Sequence, residues 1–260
     1  MQPLRIAIIQ TNQFWENKEA NFEHFEKTHF AQIEPKSCDL ILLPEMFNTG
    51  FSMNTNQLAE ENEGKSIQWL KKWAYHFDCQ IGATLIIKES NNVYNRFVIV
   101  SKEGIEKTYN KRHLFRMAGE NDHFTPGTDR TVYDLKGWKI LLQVCYDLRF
   151  PVFSRNKVIN GQPEYDAVIY LANWPEKRAY VWSTLLKARA IENQVYCIGV
   201  NRVGTDGKDI TYSGDSAVID PWGNDLYNAT KNTELVKILT LDPAVLHQIR
   251  TAFPAFMDAD

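Results

Sequence analysis

The feature that most narrows the fold of this chain is a series of short apolar runs, each ended by a turn former or a chemistry-bearing residue. Most are followed by a stretch of helical period. Leu4 to Gln10 and Asp39 to Pro44 read as buried strands, the second stopped by Pro44 and followed at once by Glu45. Between them Phe22, Phe25, Phe30 and Ile33 mark one face of an acidic amphipathic helix. Ser66 stands where a cap would open a helix whose inner face carries Ile67, Leu70, Ala74 and Phe77. Gln80 to Ile87, Val93 to Ser101 and Ile105 to Tyr109 follow as three strands joined by the turns Ser90-Asn91-Asn92 and Glu103-Gly104.

The second half repeats the scheme. A hairpin from Val132 to Val144, turning at Lys136-Gly137, leads into Cys145, and a helix is expected from about Pro151. Asp166 to Asn173 and Val195 to Asn201 are strands flanking a helix outlined by Val181, Leu185, Ala188 and Ile191. Gly214 to Asp220, the turn Pro221-Trp222-Gly223-Asn224 and Leu235 to Leu241 complete the sheet material. Asp242-Pro243 then caps and opens a last helix to about Arg250. Purely parallel doubly wound folds do not carry this many hairpins, so mixed sheets covered by helices on one face are expected. No linker rich in Pro, Gly or Ser interrupts the chain, which reads as one domain over residues 1–260 with two similar halves.

Composition enters here to set limits. A 44% hydrophobic fraction excludes wholesale disorder, and a net charge of −3 gives no electrostatic case for nucleic acid or an anionic membrane. No apolar run approaches the ~20 residues of a membrane helix, and the N-terminus lacks the shape of a signal peptide. Cys38, Cys79, Cys145 and Cys197 are widely spaced, without a C-x-x-C motif, and read as reduced thiols in a cytoplasmic protein.

Three residues stand at strand ends, where α/β sheets collect their ligand sites. Cys145 ends an apolar run just before a turn, a place that favours a thiolate and a nearby oxyanion. By itself it reads equally as a buried core cysteine. Glu45 follows Leu42-Leu43-Pro44 directly, and Lys111 opens a long irregular segment from Asn110 to Arg130. A loop of that length in a compact domain is more often functional than idle. Taken singly, a solvated carboxylate and a surface lysine remain ordinary readings of these two.

Together they resemble the nitrilase superfamily of carbon–nitrogen hydrolases, whose triad runs Glu, Lys, Cys along the chain. The resemblance rests on Leu42-Leu43-Pro44-Glu45-Met46-Phe47 with Thr49-Gly50-Phe51, on Tyr109-Asn110-Lys111-Arg112-His113-Leu114-Phe115, and on Val144-Cys145-Tyr146-Asp147-Leu148-Arg149-Phe150-Pro151. Ala172-Asn173-Trp174-Pro175, the run Ala188 to Gln194, Asn201-Arg202-Val203-Gly204 and the run Gly214 to Pro221 extend it over nearly the whole chain. These blocks look most like the omega-amidase branch, which deamidates 2-oxoglutaramate and 2-oxosuccinamate. For the fold, the resemblance implies a four-layer αββα sandwich of two mixed sheets flanked by helices, assembling as a homodimer.

For the chemistry it implies a thioester mechanism on a small-molecule amide, with Cys145 as nucleophile, Glu45 as general base among apolar walls that raise its pKa, and Lys111 as oxyanion cation. The backbone N–H of Tyr146 would be a second oxyanion donor and Glu120 a partner of Lys111. Phe51, Phe115 and Trp174 are expected to line the pocket. Arg149 is a candidate clamp for a substrate carboxylate, though a structural ion pair is the favoured reading, and Arg178 and Lys177 are further candidates. No metal or organic cofactor is required. Rival readings are an amidase of another small acid, an N-carbamoyl hydrolase, or a silent binding member of the fold. A Cys-His-Asp hydrolase using His113 or His123 ranks low, because neither histidine has an evident orienting acid in the sequence.

Overall fold

The computed structural model describes residues 1–258. The first sheet is built from β1 (Leu4–Gln10), β2 (Leu40–Leu42), β3 (Gln80–Glu89), β4 (Asn92–Val100) and β5 (Ile105–Asn110). The second takes β6 (Val132–Leu135), β7 (Trp138–Val144), β10 (Ala167–Ala172), β11 (Tyr196–Asn201), β14 (Ala217–Ile219) and β15 (Asp225–Asn228). Two small ribbons lie outside the sheets: β8 (Val158–Ile159) with β9 (Gln162–Pro163), and β12 (Val203–Thr205) with β13 (Thr211–Ser213). The last strand, β16 (Leu235–Leu241), leaves the second half and closes the first sheet beside β1, pairing Leu4 with Leu241 and Gln10 with Leu235.

The sheet orders are β16-β1-β2-β3-β4-β5 and β15-β14-β11-β10-β7-β6. Each has three parallel strands at its centre, β1-β2-β3 and β7-β10-β11, with antiparallel strands on both sides. The two halves are therefore alike in topology, as their duplicated element order suggested, and the sheets are mixed.

Uninterrupted apolar runs form the central strands because both faces of each strand are buried. In β1, Leu4, Ile6 and Ile8 point with Leu40, Leu42, Phe97 and Ile99 into the space between the sheets, against Ile140, Leu142 and Val144. The alternate residues Ala7, Ile9, Ile41 and Leu43 face the other way, under Phe22, Phe25, Phe30, Trp69 and Leu70 from the helices. On the far side Trp182, Leu186 and Ala190 of the helix Ala179–Asn193 cover the second sheet. They come so close that a Cβ on Gly199 of β11 would sit 2.5 Å from Leu186, so this position admits no larger residue without displacement. The order of layers is helix, sheet, sheet, helix.

Four local expectations need correction. The helix Lys65–Phe77 is capped at Gly64, and Ser66 lies inside its first turn. Glu60 supplies the missing side-chain acceptor, taking the Ser66 N–H at 2.8 Å and its hydroxyl at 2.6 Å. The chain after Cys145 makes a 3₁₀ turn, Cys145–Arg149, before Pro151, and the helix from Pro151 lasts only to Ser154. The segment Asn110 to Arg130 is not wholly irregular, since Arg116–Ala118 and Glu120–His123 are short helical turns. The first helix changes pitch, running as an α-helix over Lys18–His24, a π turn over Phe25–His29 and a 3₁₀ turn over Phe30–Gln32.

Candidate active site

Glu45, Lys111 and Cys145 emerge at the carboxyl ends of β2, β5 and β7, and all three are buried. Lys111 Nζ donates to Glu45 Oε1 at 2.9 Å and to both oxygens of Glu120 at 2.9 Å. Glu120 opens the short helix in the long loop and also accepts the Phe115 N–H at 2.6 Å. Burial pulls the Lys111 ammonium toward its neutral form, but the charges of Glu120 and Glu45 more than offset this and raise it above the ordinary lysine value. Burial, opposed by Lys111 and assisted by Glu45, raises Glu120.

Glu45 lacks the apolar walls that were expected. Its Oε1 also accepts Asn95 Nδ2 at 2.8 Å, and its Oε2 accepts the Asn173 N–H at 2.8 Å. Its backbone carbonyl is held by Gln13 Nε2 and by Asn173 Nδ2, each at 2.9 Å. A carboxylate with this many donors is fixed in orientation.

Cys145 sits in the left-handed region, φ +43°, which a side chain tolerates only when its surroundings enforce it. Its thiol donates to the Asn173 carbonyl at 3.8 Å. Burial, the Glu45 charge and a hydrogen bond to Glu45 push the thiol well above its ordinary range, with Lys111 opposing. The expectation that the strand end favours a thiolate is therefore reversed in the resting protein. The buried group as a whole explains it: two carboxylates share one ammonium, so a thiolate would add a second net negative charge in a low-dielectric space. Transfer of the thiol proton to Glu45 keeps the net charge constant, so a carboxylate base is the partner this thiol requires.

Cys145 and Lys111 open onto a cavity of about 210 Å³ whose walls include Phe51, Phe115, Tyr146, Arg149, Trp174 and Arg178. That is below the ~300–1,000 Å³ typical of sites for drug-sized molecules and suits a small metabolite. Phe51 lies under the Lys111 ammonium at 5.1 Å, and Tyr146 meets Phe115 edge-on at 5.0 Å. The Tyr146 backbone occupies the first turn of the 3₁₀ segment, where N–H groups lack intrahelical acceptors. Lys177 is exposed and is not part of the wall.

Besides Lys111, Arg149 and Arg178 are the cations of this cavity. Arg149 lies over Trp174 at 5.1 Å and Arg178 over Phe115 at 5.2 Å. Neither side chain makes a salt bridge among the described residues, so the structural ion pair favoured for Arg149 is not formed. Asp147, its nearest candidate in sequence, is engaged elsewhere. It accepts the Val144 N–H at 2.9 Å, the Tyr109 hydroxyl at 2.8 Å, the His113 N–H at 3.0 Å and His113 Nδ1 at 2.7 Å. This also corrects the statement that His113 has no acidic partner. The His113 ring is nonetheless stacked flat on Phe150 at 3.8 Å and lies outside the cavity wall, so it does not share the space that Cys145 faces. His123 is exposed.

Three site residues were not singled out from the sequence. Asn173 ends β10 as Glu45 follows β2, and it touches both Glu45 and Cys145. Asn95, mid-strand in β4, bridges Glu45 and Glu120. A lone Asn inside a buried strand is a legible signal for Asn95, because an amide there must find partners. Tyr212 reaches the cavity from β13, a ribbon that carries no strong sequence signal.

The carbon-nitrogen hydrolase family's sequence model matches residues 5–251. This protein belongs to the carbon–nitrogen hydrolase family. Within that family it is 42% identical over 260 residues to omega-amidase YafV of Yersinia enterocolitica, covering 100% of this chain and 98% of that one. It is 33% identical over 240 residues to a 2-oxoglutaramate amidase of Bacillus subtilis, covering 91% of each. The crystal structure of XC1258 from Xanthomonas campestris, a CN-hydrolase superfamily protein with an arsenic adduct in its active site, superposes with a TM-score of 0.96 at 38% identity, covering 100% of this chain and 98% of that one. The sandwich described above is thus the fold of this hydrolase family.

Proposed function

We propose that this carbon–nitrogen hydrolase is an omega-amidase, releasing ammonia from the terminal amide of small omega-amido 2-oxo acids such as 2-oxoglutaramate and 2-oxosuccinamate. The observation that carries the reading is the buried group Glu45, Lys111 and Cys145 beside a small cavity walled by two arginines that have no carboxylate partner among the described residues. Full-length similarity to an omega-amidase and a 2-oxoglutaramate amidase supports the same substrate class.

In this reading Cys145 Sγ attacks the amide carbon as its proton passes to Glu45. Lys111 and the Tyr146 N–H receive the charge that develops on the carbonyl oxygen, and one such donor is commonly worth ~3–4 kcal/mol at the transition state. The C–N bond breaks as Glu45 returns the proton to nitrogen, and ammonia leaves behind a thioester. Water then enters, gives its proton to Glu45 and displaces the thiol, which recovers that proton. Glu120 holds Lys111 in place throughout. Arg149 and Arg178 take the distal carboxylate, stacked guanidinium planes being suited to bidentate contact.

Residues 1–260 form one domain in this proposal, with β16 tying the C-terminal part to β1. The proposal includes a homodimer in the cytoplasm. Exposed Val152 and Tyr180, on the helical segments beyond β7 and β10, supply apolar surface for the dimer, and four free cysteines suit a reducing compartment.

Ammonia release should be measured from 2-oxoglutaramate, glutamine, asparagine and N-carbamoyl amino acids, with wild type and Cys145→Ala. Turnover of 2-oxoglutaramate by the wild type alone is expected. Turnover confined to the carbamoyl compounds would replace the omega-amidase reading with the carbamoyl hydrolase one, and an inactive wild type would make this a silent member of the fold.

A further inference from the structure

Away from the active site, the π turn in the first helix does something an α-helix would not. Residues five apart on an α-helix point about 140° from each other, whereas a π turn, with more residues per turn, brings them toward one side. His24 precedes the turn Phe25–His29 and His29 ends it, and their rings meet edge-on with centroids 5.1 Å apart. Both Nε2 atoms converge on one oxygen of Glu234, at 2.6 Å from His24 and 3.1 Å from His29. Thr11, just past β1, adds its hydroxyl to the same oxygen at 2.8 Å. Four groups from three separate parts of the chain thus share one point, and no step of the amidase chemistry uses any of them.

We propose that His24, His29 and Glu234 form a binding site for a divalent transition metal ion of the zinc type, with the Thr11 hydroxyl beside the fourth position. Two imidazoles and a carboxylate are a donor set that such ions accept. The three ligand atoms already lie within 4.8 Å of one another. Donors around a tetrahedral zinc stand roughly 3.3 Å apart, so the 2.6 Å separation of His24 and Glu234 must widen by about 0.7 Å. His24 and Glu234 can make that adjustment, since their side chains are 18% and 34% exposed, and that opening is also the ion's path in.

One feature limits affinity. A metal-bound histidine normally donates its other ring N–H to an acceptor, and His29 Nδ1 has no protein partner among the described residues. Lack of such a partner costs about 10–100-fold in metal affinity. Its consequence is mechanical. Glu234 directly precedes β16, so an ion here staples the first helix to the strand that closes the first sheet.

The test uses untagged, chelator-treated full-length protein in a Cys145→Ala background, so that the nucleophile cannot bind the probe. Zinc is titrated by calorimetry, cobalt by visible absorption, and unfolding is followed with and without zinc. One ion per chain is expected, with cobalt bands lacking the near-ultraviolet thiolate transition. At a hundredfold excess over Kd the unfolded population falls about 100-fold, a rise in midpoint of roughly 5–10 °C for a domain of this size. His24→Gln, at a partly exposed position, should abolish all three signals while its midpoint in chelator stays near that of the parent, and Glu234→Gln should abolish them too. Absence of one-to-one binding at micromolar zinc, a thiolate band with cobalt, or binding that survives both substitutions would overturn the proposal.

Discussion

Replacing Asp147 by Asn tests how the nucleophile is held. The Asp147 side chain is fully buried and accepts four hydrogen bonds, two on each oxygen. Asparagine retains one oxygen, and its amide must then face either the Val144 N–H or the His113 N–H. In both orientations a buried backbone donor meets another donor, which costs about 1–3 kcal/mol, and the remaining bonds fall from charged to neutral strength at about 1 kcal/mol each. The sum is about 3–5 kcal/mol of stability, within the 5–15 kcal/mol a domain commonly has, so the variant should still fold. Part of the loss should appear in catalysis. The Val144 N–H anchors the residue before Cys145, whose φ of +43° depends on that anchor, and a shift of about 1 Å at a reacting atom costs ~100-fold in rate. Urea unfolding and steady-state kinetics on 2-oxoglutaramate read the two effects separately, and kcat should fall about 10–100-fold with a smaller change in KM. Tyr109→Phe, which removes one donor to Asp147 and the acceptor of the Arg112 N–H, should cost about 1–2 kcal/mol and leave kcat within a few-fold. An Asp147→Asn variant that loses under about 1 kcal/mol and keeps its kcat would refute the claim that this carboxylate braces the nucleophile turn.

Arg178→Ala and Arg149→Ala should each raise KM for 2-oxoglutaramate about 10–100-fold with little change in kcat, and neither should affect hydrolysis of an uncharged small amide. Equal losses on charged and uncharged substrates would remove the carboxylate role. Because burial and Glu45 hold the Cys145 thiol protonated, its alkylation by iodoacetamide at neutral pH should be slower than that of a free thiol and should climb steadily into the alkaline range. A rate plateau below neutrality would contradict this. Burial pushes the Asp39 carboxyl up, but Arg5 and Lys136 more than offset it and hold it at about 2. A lowered folded-state value means stability present above pH 4 and lost as pH falls toward 2. Asp39→Asn should therefore lose up to about 2 kcal/mol at pH 7 by urea unfolding, with the difference from wild type vanishing near pH 2. A pH-independent difference would assign the loss to packing.

The sequence by itself determined the long strands of both sheets and where their reactive residues stand, though not the short ribbons or β15. An apolar run buried on both faces is a local pattern, and Glu45 and Cys145 follow such runs at the ends of β2 and β7, whereas Lys111 follows the half-exposed edge strand β5. Residue type then limited the chemistry. What only the tertiary structure decided is partnership: β16 pairing with β1 across the whole chain, Asn173 reaching Glu45, Asp147 choosing Tyr109 and His113 over Arg149, Glu60 capping in place of Ser66. A side chain that can hydrogen-bond many groups takes whichever ones the packed layers bring to the same buried point, and chain separation says nothing about that. The same holds for the protonation of Cys145. Its strand-end position argues for a thiolate, yet burial first and then the carboxylates folded in from positions 45 and 120 reverse the sign, because a space without water disfavours a further negative charge.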